Sequence, residues 1–177
     1  MTNSDQVAID AVDTLNDLTG DLVTGTMVLR DYHQQYRTGG AFNLEQMIAV
    51  QRMCLSHLVL AFVKLLEFWK RYHQLVPDKH RADLKALNDT LKRKGVRDFR
   101  NKVAGHIWDS KQGRPLRHSE IMASLEVLTD GHLDQFLRWV NNPDGNTYPQ
   151  TVLSVIEALR DSLVDEHGIQ VPEVIDR

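Results

Sequence analysis

Between Asn43 and Pro77 the chain carries one long run of apolar residues at helical spacing: Leu44, Met47, Ile48, Leu55, Leu58, Phe62, Leu65, Trp69 and Tyr72. Steps of three and four residues put them on one side of an α-helix, and such a stripe has to be buried against other elements. Asn43 is a good N-cap and Pro77 cannot continue a helix, so the pattern predicts a helix from Leu44 to about Gln74, roughly 45 Å long. A helix of that length runs the full length of a small domain, so its neighbours must cover a long stripe. Cys54 and His57 lie on or beside the stripe and read as packed core residues.

The rest of the chain supplies such neighbours. Val7, Ala8, Ile9, Val12, Leu15, Leu18, Leu22 and Val23 recur at helical steps after the capping candidates Ser4 and Asp5. Gly20 and Gly25 weaken that helix, and Met27 to Tyr36 either continues the same rod or restarts it, one long element with or without a break, before Gly39-Gly40 ends it. Asp78 is a candidate cap for a third helix through Ala82, Leu84, Ala86, Leu87 and Leu91, with Gly95 ending it or bending it into the next. Val96, Phe99, Val103 and Ile107 then form a new stripe, with Trp108 off it, followed by a polar loop over 109–117.

Ser119 is a plausible cap with Met122, not an acid, at N3, so capping there is one-sided. The next helix is expected over Glu120–Val140, then a turn cluster over 141–146. Pro149 suits the first turn of a last helix over Gln150–Glu166, closed by His167-Gly168, and 169–177 is expected to be irregular. No alternating strand pattern stands out. The expectation is a single all-α domain over 1–177, an antiparallel bundle of five or six helices.

Composition narrows the function. The 177 residues carry a formal net charge of −3, which argues against a general binder of nucleic acid or anionic membranes. The charge is unevenly placed: residues 79–118 hold twelve Lys/Arg against four Asp/Glu, and 119–177 are net −8. The acidic C-terminal part reads as an ordinary solvated surface. One cysteine excludes an intrachain disulfide and a cysteine-based zinc site, and the eight histidines form no helical zinc pair, so no metal or other cofactor is expected. The polar start Met1-Thr2-Asn3-Ser4-Asp5 is unlike a signal peptide, and Leu55–Trp69 is interrupted by His57, Lys64 and Glu67. A soluble, cytoplasmic protein is expected, with no membrane association.

The basic segment contains the best candidate site, Phe99-Arg100-Asn101-Lys102-Val103-Ala104-Gly105-His106. On an ideal α-helix Arg100 and His106 flank the apolar stripe about 120° apart and about 9 Å apart along the axis, so they cannot meet without a partner element. Arg100-Asn101-(x)4-His106 on a late-middle helix resembles the motif of HEPN domains (higher eukaryotes and prokaryotes nucleotide-binding), most of all those of abortive-infection type. The resemblance implies a helical bundle that dimerises to bring two motifs to one cleft. It further implies a metal-independent endoribonuclease of toxin or phage-defence type, acting on RNA, sometimes with a separate nucleotidyltransferase antitoxin.

In that reading His106 is the general base for the 2′-hydroxyl, since imidazole titrates near neutral pH. Arg100 stabilises charge on the phosphate and Asn101 orients it. Lys92, Arg93, Lys94, Arg97 and Lys102 hold neighbouring phosphates without reading sequence. Gly105 loosens the helix before His106, which departs from a firmly helical motif. His118 and His132 receive no role. The competing reading is a non-catalytic helical module for dimerisation, regulation or RNA binding, which has no use for the Arg100/His106 pair.

Overall fold

The computed structural model describes residues 3–40, 42–104, 108–109 and 113–170. The long helix of the sequence, α2 (Leu44–Tyr72), sits at the centre of an all-α bundle. Its start is fixed by a full capping box: Asn43 Oδ1 accepts from Gln46 N–H at 2.9 Å and Gln46 Oε1 accepts from Asn43 N–H at 3.0 Å. Leu55, Leu58, Phe62 and Leu65 are fully buried, but Leu44 and Ile48 emerge from the core at 58% and 42% exposed, so at the start of the stripe only Met47 is buried. By length and composition α2 is apolar enough to cross a membrane, despite Lys64 and Glu67. In this fold its stripe packs against the neighbouring helices.

α1 (Asn3–Arg37) is a single rod, the unbroken form of the expected long element, and it starts before Ser4 and Asp5, which therefore lie in its first turn. It packs antiparallel along α2, tied by Asp21 to Lys64 at 2.8 Å and to His57 at 3.5 Å. The two glycines differ in kind. A methyl group on Gly25 would stand 2.8 Å from Leu58 Cδ2, so this glycine allows α2 its close approach, whereas Gly20 has nothing within 4 Å.

α3 (Asp78–Arg93) follows Pro77, which is itself the N-cap; Asp78 makes no cap and instead pairs with Arg81 at 2.8 Å. Gly95, at φ 65°, turns the chain into the short α4 (Val96–Phe99), which runs into a five-residue π-turn, Arg100–Ala104. The expected loop contains a minimal hairpin, β1 (Trp108–Asp109) antiparallel to β2 (Arg114–Pro115). Two-residue strands leave no alternation to read in a sequence.

The expected helix Glu120–Val140 is two helices, α5 (His118–Thr129) and α6 (Leu133–Val140), broken where Asp130 and Gly131 adopt positive φ. The α5 start also lies earlier than Ser119. Arg117 N–H donates to Glu120 Oε2 at 2.8 Å, and Glu120 is also gripped by both Nη atoms of Arg114. These donors hold the Glu120 carboxyl down to about 2. α7 (Val152–His167) is capped by Thr151 and closed by Gly168 at φ 59°; Pro149 lies outside it, after a cis Tyr148–Pro149 bond. The described residues thus hold seven α-helical segments. Of the tail, 171–177 lies outside the described residues.

Two buried polar seams fix the register. At the α1–α6 joint, Thr26 accepts from Asn141 Nδ2 at 3.1 Å, and Arg30 donates to the carbonyls of Leu137 and Asn141. Between α3 and α7 lies His80, 7% exposed. Tyr148 donates to Asp83 at 2.5 Å and so accepts from His80 Nδ1–H at 2.9 Å, which leaves Nε2 to accept from the Ser162 hydroxyl at 2.8 Å. Burial and the Asp83 carboxylate push the Tyr148 phenol up to about 12, keeping it a donor.

Burial and then the Lys79 charge lower the His80 pKa, so the folded protein favours neutral imidazole. The unfolded chain then takes up the proton first as pH falls below about 6.5, and the contribution present above that value is lost on acidification. In urea titrations between pH 8 and 5, the stability difference between wild type and His80→Gln should therefore shrink as pH falls. The glycines give a second expectation: Gly20→Ala raises stability by about 0.5–1 kcal/mol through helix propensity, while Gly25→Ala gains less or loses because of Leu58. Thermal melts of the two variants check the contrast.

Candidate functional site

The motif segment is built by a change of helix type. Val96 and Phe99 are buried and anchor α4 against α2 and α5, while Val103 packs at the core margin from the π-turn. Widening the helix from Arg100 onward adds a residue to the turn, so the 120° separation of an ideal α-helix does not describe this segment. π-turns of this kind occur often at functional sites. Arg100, Asn101 and Lys102 are all exposed on it. Arg100 Nη1 donates to Asn101 Oδ1 at 3.0 Å, so the two adjacent residues form one unit, with the guanidinium steered by the amide. His106, with Gly105 and Ile107, lies outside the described residues.

The five flanking cations divide into two groups. Lys92 and Arg93, on the last turn of α3, are exposed and make short-range contacts to Asp89 at 3.0 Å and Thr90 at 2.9 Å. Arg97 and Lys102 are exposed and form no ion pair among the described residues. Lys94 is different. Its side chain is only 12% exposed, its ammonium donates to Leu128 carbonyl at 3.2 Å and to Asp130 at 2.6 Å, and it lies 5.7 Å and 5.4 Å from the ring centres of Phe136 and Trp139. It caps the C-terminal end of α5 and pairs with Asp130, which has a left-handed conformation.

Beside the motif is a shallow groove of about 210 Å³ between α4, the π-turn and α5, lined by Lys94, Asp98, Phe99, Lys102, Ser124 and Val127 among others. It has an apolar floor and a basic lip. On its far side α5 presents Met122 and Val127, 45% and 55% exposed, and Met122 shares a second small groove with Ile48 and Arg52 of α2. The two grooves lie on different faces of α5, since Met122 and Val127 are about 140° apart around its axis. No group of three or more metal-ligating side chains occurs among the described residues.

Sequence reading missed three features of this region: the inward turn of Lys94, the π-turn, and the grip of Arg114 on Glu120. The Lys94 contacts span 34 and 36 residues, beyond any local pattern. A short-range signal did exist for Glu120, since it stands three residues after Arg117 and six after Arg114.

No protein-family model matches the chain, and no curated protein matches it significantly in sequence. A solved structure does. The integron cassette protein Vpc_cass2, from the mobile metagenome of V. paracholerae, superposes with a TM-score of 0.78 over 92% of this chain and 98% of its own, at 23% identity. The two proteins share an all-α fold, and that likeness extends over nearly the whole of both chains.

The division among the cations has a direct consequence. Lys94→Met should lower stability by about 1–3 kcal/mol, because it leaves Asp130 and the α5 carbonyl without their donor. Urea denaturation of the wild type and the variant measures the difference.

Proposed function

We propose that this protein is a metal-independent endoribonuclease of HEPN type. The observation that carries the reading is the Arg100–Asn101 unit, exposed on a π-turn and flanked by Arg97 and Lys102, which form no ion pair among the described residues. A guanidinium with one edge held by a neighbouring amide keeps its other donors for a phosphate and loses less freedom on binding it.

His106, five residues beyond Asn101, takes the 2′-hydroxyl proton as general base. The 2′-oxygen attacks the adjacent phosphorus, and the 5′-oxygen leaves and gains a proton from water. The products are a 2′,3′-cyclic phosphate end and a 5′-hydroxyl end. Arg100 and Asn101 bear the charge that builds on the phosphoryl oxygens. Lys92, Arg93, Arg97 and Lys102 hold the flanking backbone.

The working form is a homodimer. Ile48 of α2 and Met122 of α5 are exposed along one small groove and give an apolar surface for pairing. Pairing two copies about a two-fold axis through this surface buries it and brings two motifs near one cleft. The mobile-metagenome setting of Vpc_cass2 agrees with a toxin or phage-defence role, in which a separate nucleotidyltransferase-type antitoxin is a natural partner. The second reading, a non-catalytic dimerisation or regulatory module, draws on the same apolar surface and leaves Arg100 and His106 without a task.

The test is RNA cleavage by purified protein in EDTA, with product ends identified. Arg100→Ala and His106→Ala should each reduce cleavage by about 10²–10⁴-fold with unchanged melting temperature. Ile48→Asp with Met122→Asp should lower the solution mass from dimer to monomer and take cleavage with it. Full activity in His106→Ala, or cleavage only with added divalent metal, removes the mechanism; unchanged assays in both motif variants favour the non-catalytic module.

A further inference from the structure

Away from the motif, at the α1–α6 joint, three arginines gather around a cavity. Arg30, His33 and Arg37 recur along one face of the end of α1, and Arg138 faces them from α6, around a pocket of about 470 Å³ that Asp134 and Thr38 also line. Each arginine is only partly engaged. Arg30 uses Nη2 on the α6 carbonyls, while its Nη1 and Nε make no hydrogen bond among the described residues. Arg37 reaches Asp134 at 3.1 Å through Nη2, and both side chains are 65% exposed, an ion pair of the weak surface kind. Arg138 pairs with Asp144 at 2.6 Å through Nη1 alone.

Two strains are left in the wall of this pocket. His33 Nε2 is shielded from solvent and has no hydrogen-bond partner among the described residues. Arg30 is disfavoured as a cation by its burial and next by the charge of Arg138, with Asp134 and Asp144 counteracting these to a smaller degree. An anion bound between the guanidinium groups relieves the repulsion, and a small turn of the His33 ring gives Nε2 a partner.

The geometry points to a binding site for a small phosphate monoester, held by Arg37 and Arg138 against Arg30 and His33. Planar guanidinium forks match the oxygens of a phosphate, which offers more acceptors than the lone carboxylate of Asp134. The cavity is of a size that admits a mononucleotide. None of its lining residues belongs to the motif on α4 and the π-turn, so the site stands independently of the ribonuclease reading.

The experiment is calorimetric titration of the full-length protein with inorganic phosphate and, separately, with adenosine 5′-monophosphate, while NMR follows the His33 ring. At least one probe should bind with a Kd of about 1 mM or tighter and shift the His33 resonances. Tighter binding of the nucleotide assigns a nucleotide-type ligand; equal binding assigns the phosphate group alone. Arg37→Gln with Arg138→Gln should weaken binding at least about tenfold and leave RNA cleavage at the wild-type rate. Arg138→Lys, which keeps the charge and loses the fork, should also weaken it and covers the case of a poorly folded double variant. Absence of binding by both probes at about a tenfold higher concentration, unchanged affinity in Arg138→Lys, or binding lost in Arg100→Ala instead, overturns the proposal.

Discussion

The structure depends on burying the α2 stripe. Phe62, fully enclosed, meets Phe136 edge-on at 6.1 Å and Trp139 at 6.2 Å between ring centres, so the central helix is locked to α6 through aromatic contacts as well as to α1 along its length. Truncating such a side chain typically removes about 3–5 kcal/mol, a large share of a small domain's stability. Because the stripe is longer than the cover that the other helices provide, its first turn projects as Leu44 and Ile48. One geometric fact, a helix slightly longer than its core, thus supplies both the stability of the monomer and an exposed apolar start to α2.

Charge is arranged on the same scaffold. The basic segment does not act as one solvated face: Lys94 turns inward to close α5 and Arg114 is committed to Glu120, while exposed members run along α3, α4 and the π-turn and include Arg117 before α5. A second arginine group collects at the α1–α6 joint, where Arg30 serves the carbonyl end of α6 and Arg37 and Arg138 stand around the adjoining pocket. Basic residues distant in sequence, from 30 to 138, are neighbours there only because α1 and α6 pack antiparallel.

Much of the fold was legible locally. The Asn43 cap, the long first helix, the stop at Gly95 and the closing Gly168 follow from capping chemistry and from positive-φ glycine. The break at Asp130-Gly131 was not, because Leu125, Leu128, Leu133, Phe136 and Leu137 keep near-helical spacing across it and Asp130, which carries a positive φ, has its partner Lys94 36 residues away. The Thr151 cap was displaced from the expected start at Gln150 by the turn around Pro149. For the site, the identity of Arg100 and Asn101 could be read from spacing and resemblance. Their direct hydrogen bond and the π-turn beneath them could not.

By itself, then, the sequence determined an all-α chain built around one long apolar helix, because the three- and four-residue spacing of its hydrophobic residues can be satisfied only by helices packed on helices. It also determined where positive charge would collect along the chain. Only the tertiary structure decided which of those charges face solvent, that His80 joins Ser162 to Tyr148 and Asp83, and that three arginines from α1 and α6 share a pocket. The reason is range: periodicity and capping act over a few residues, whereas a buried hydrogen bond or a pocket wall depends on which helices meet, and that is fixed by packing the whole core at once.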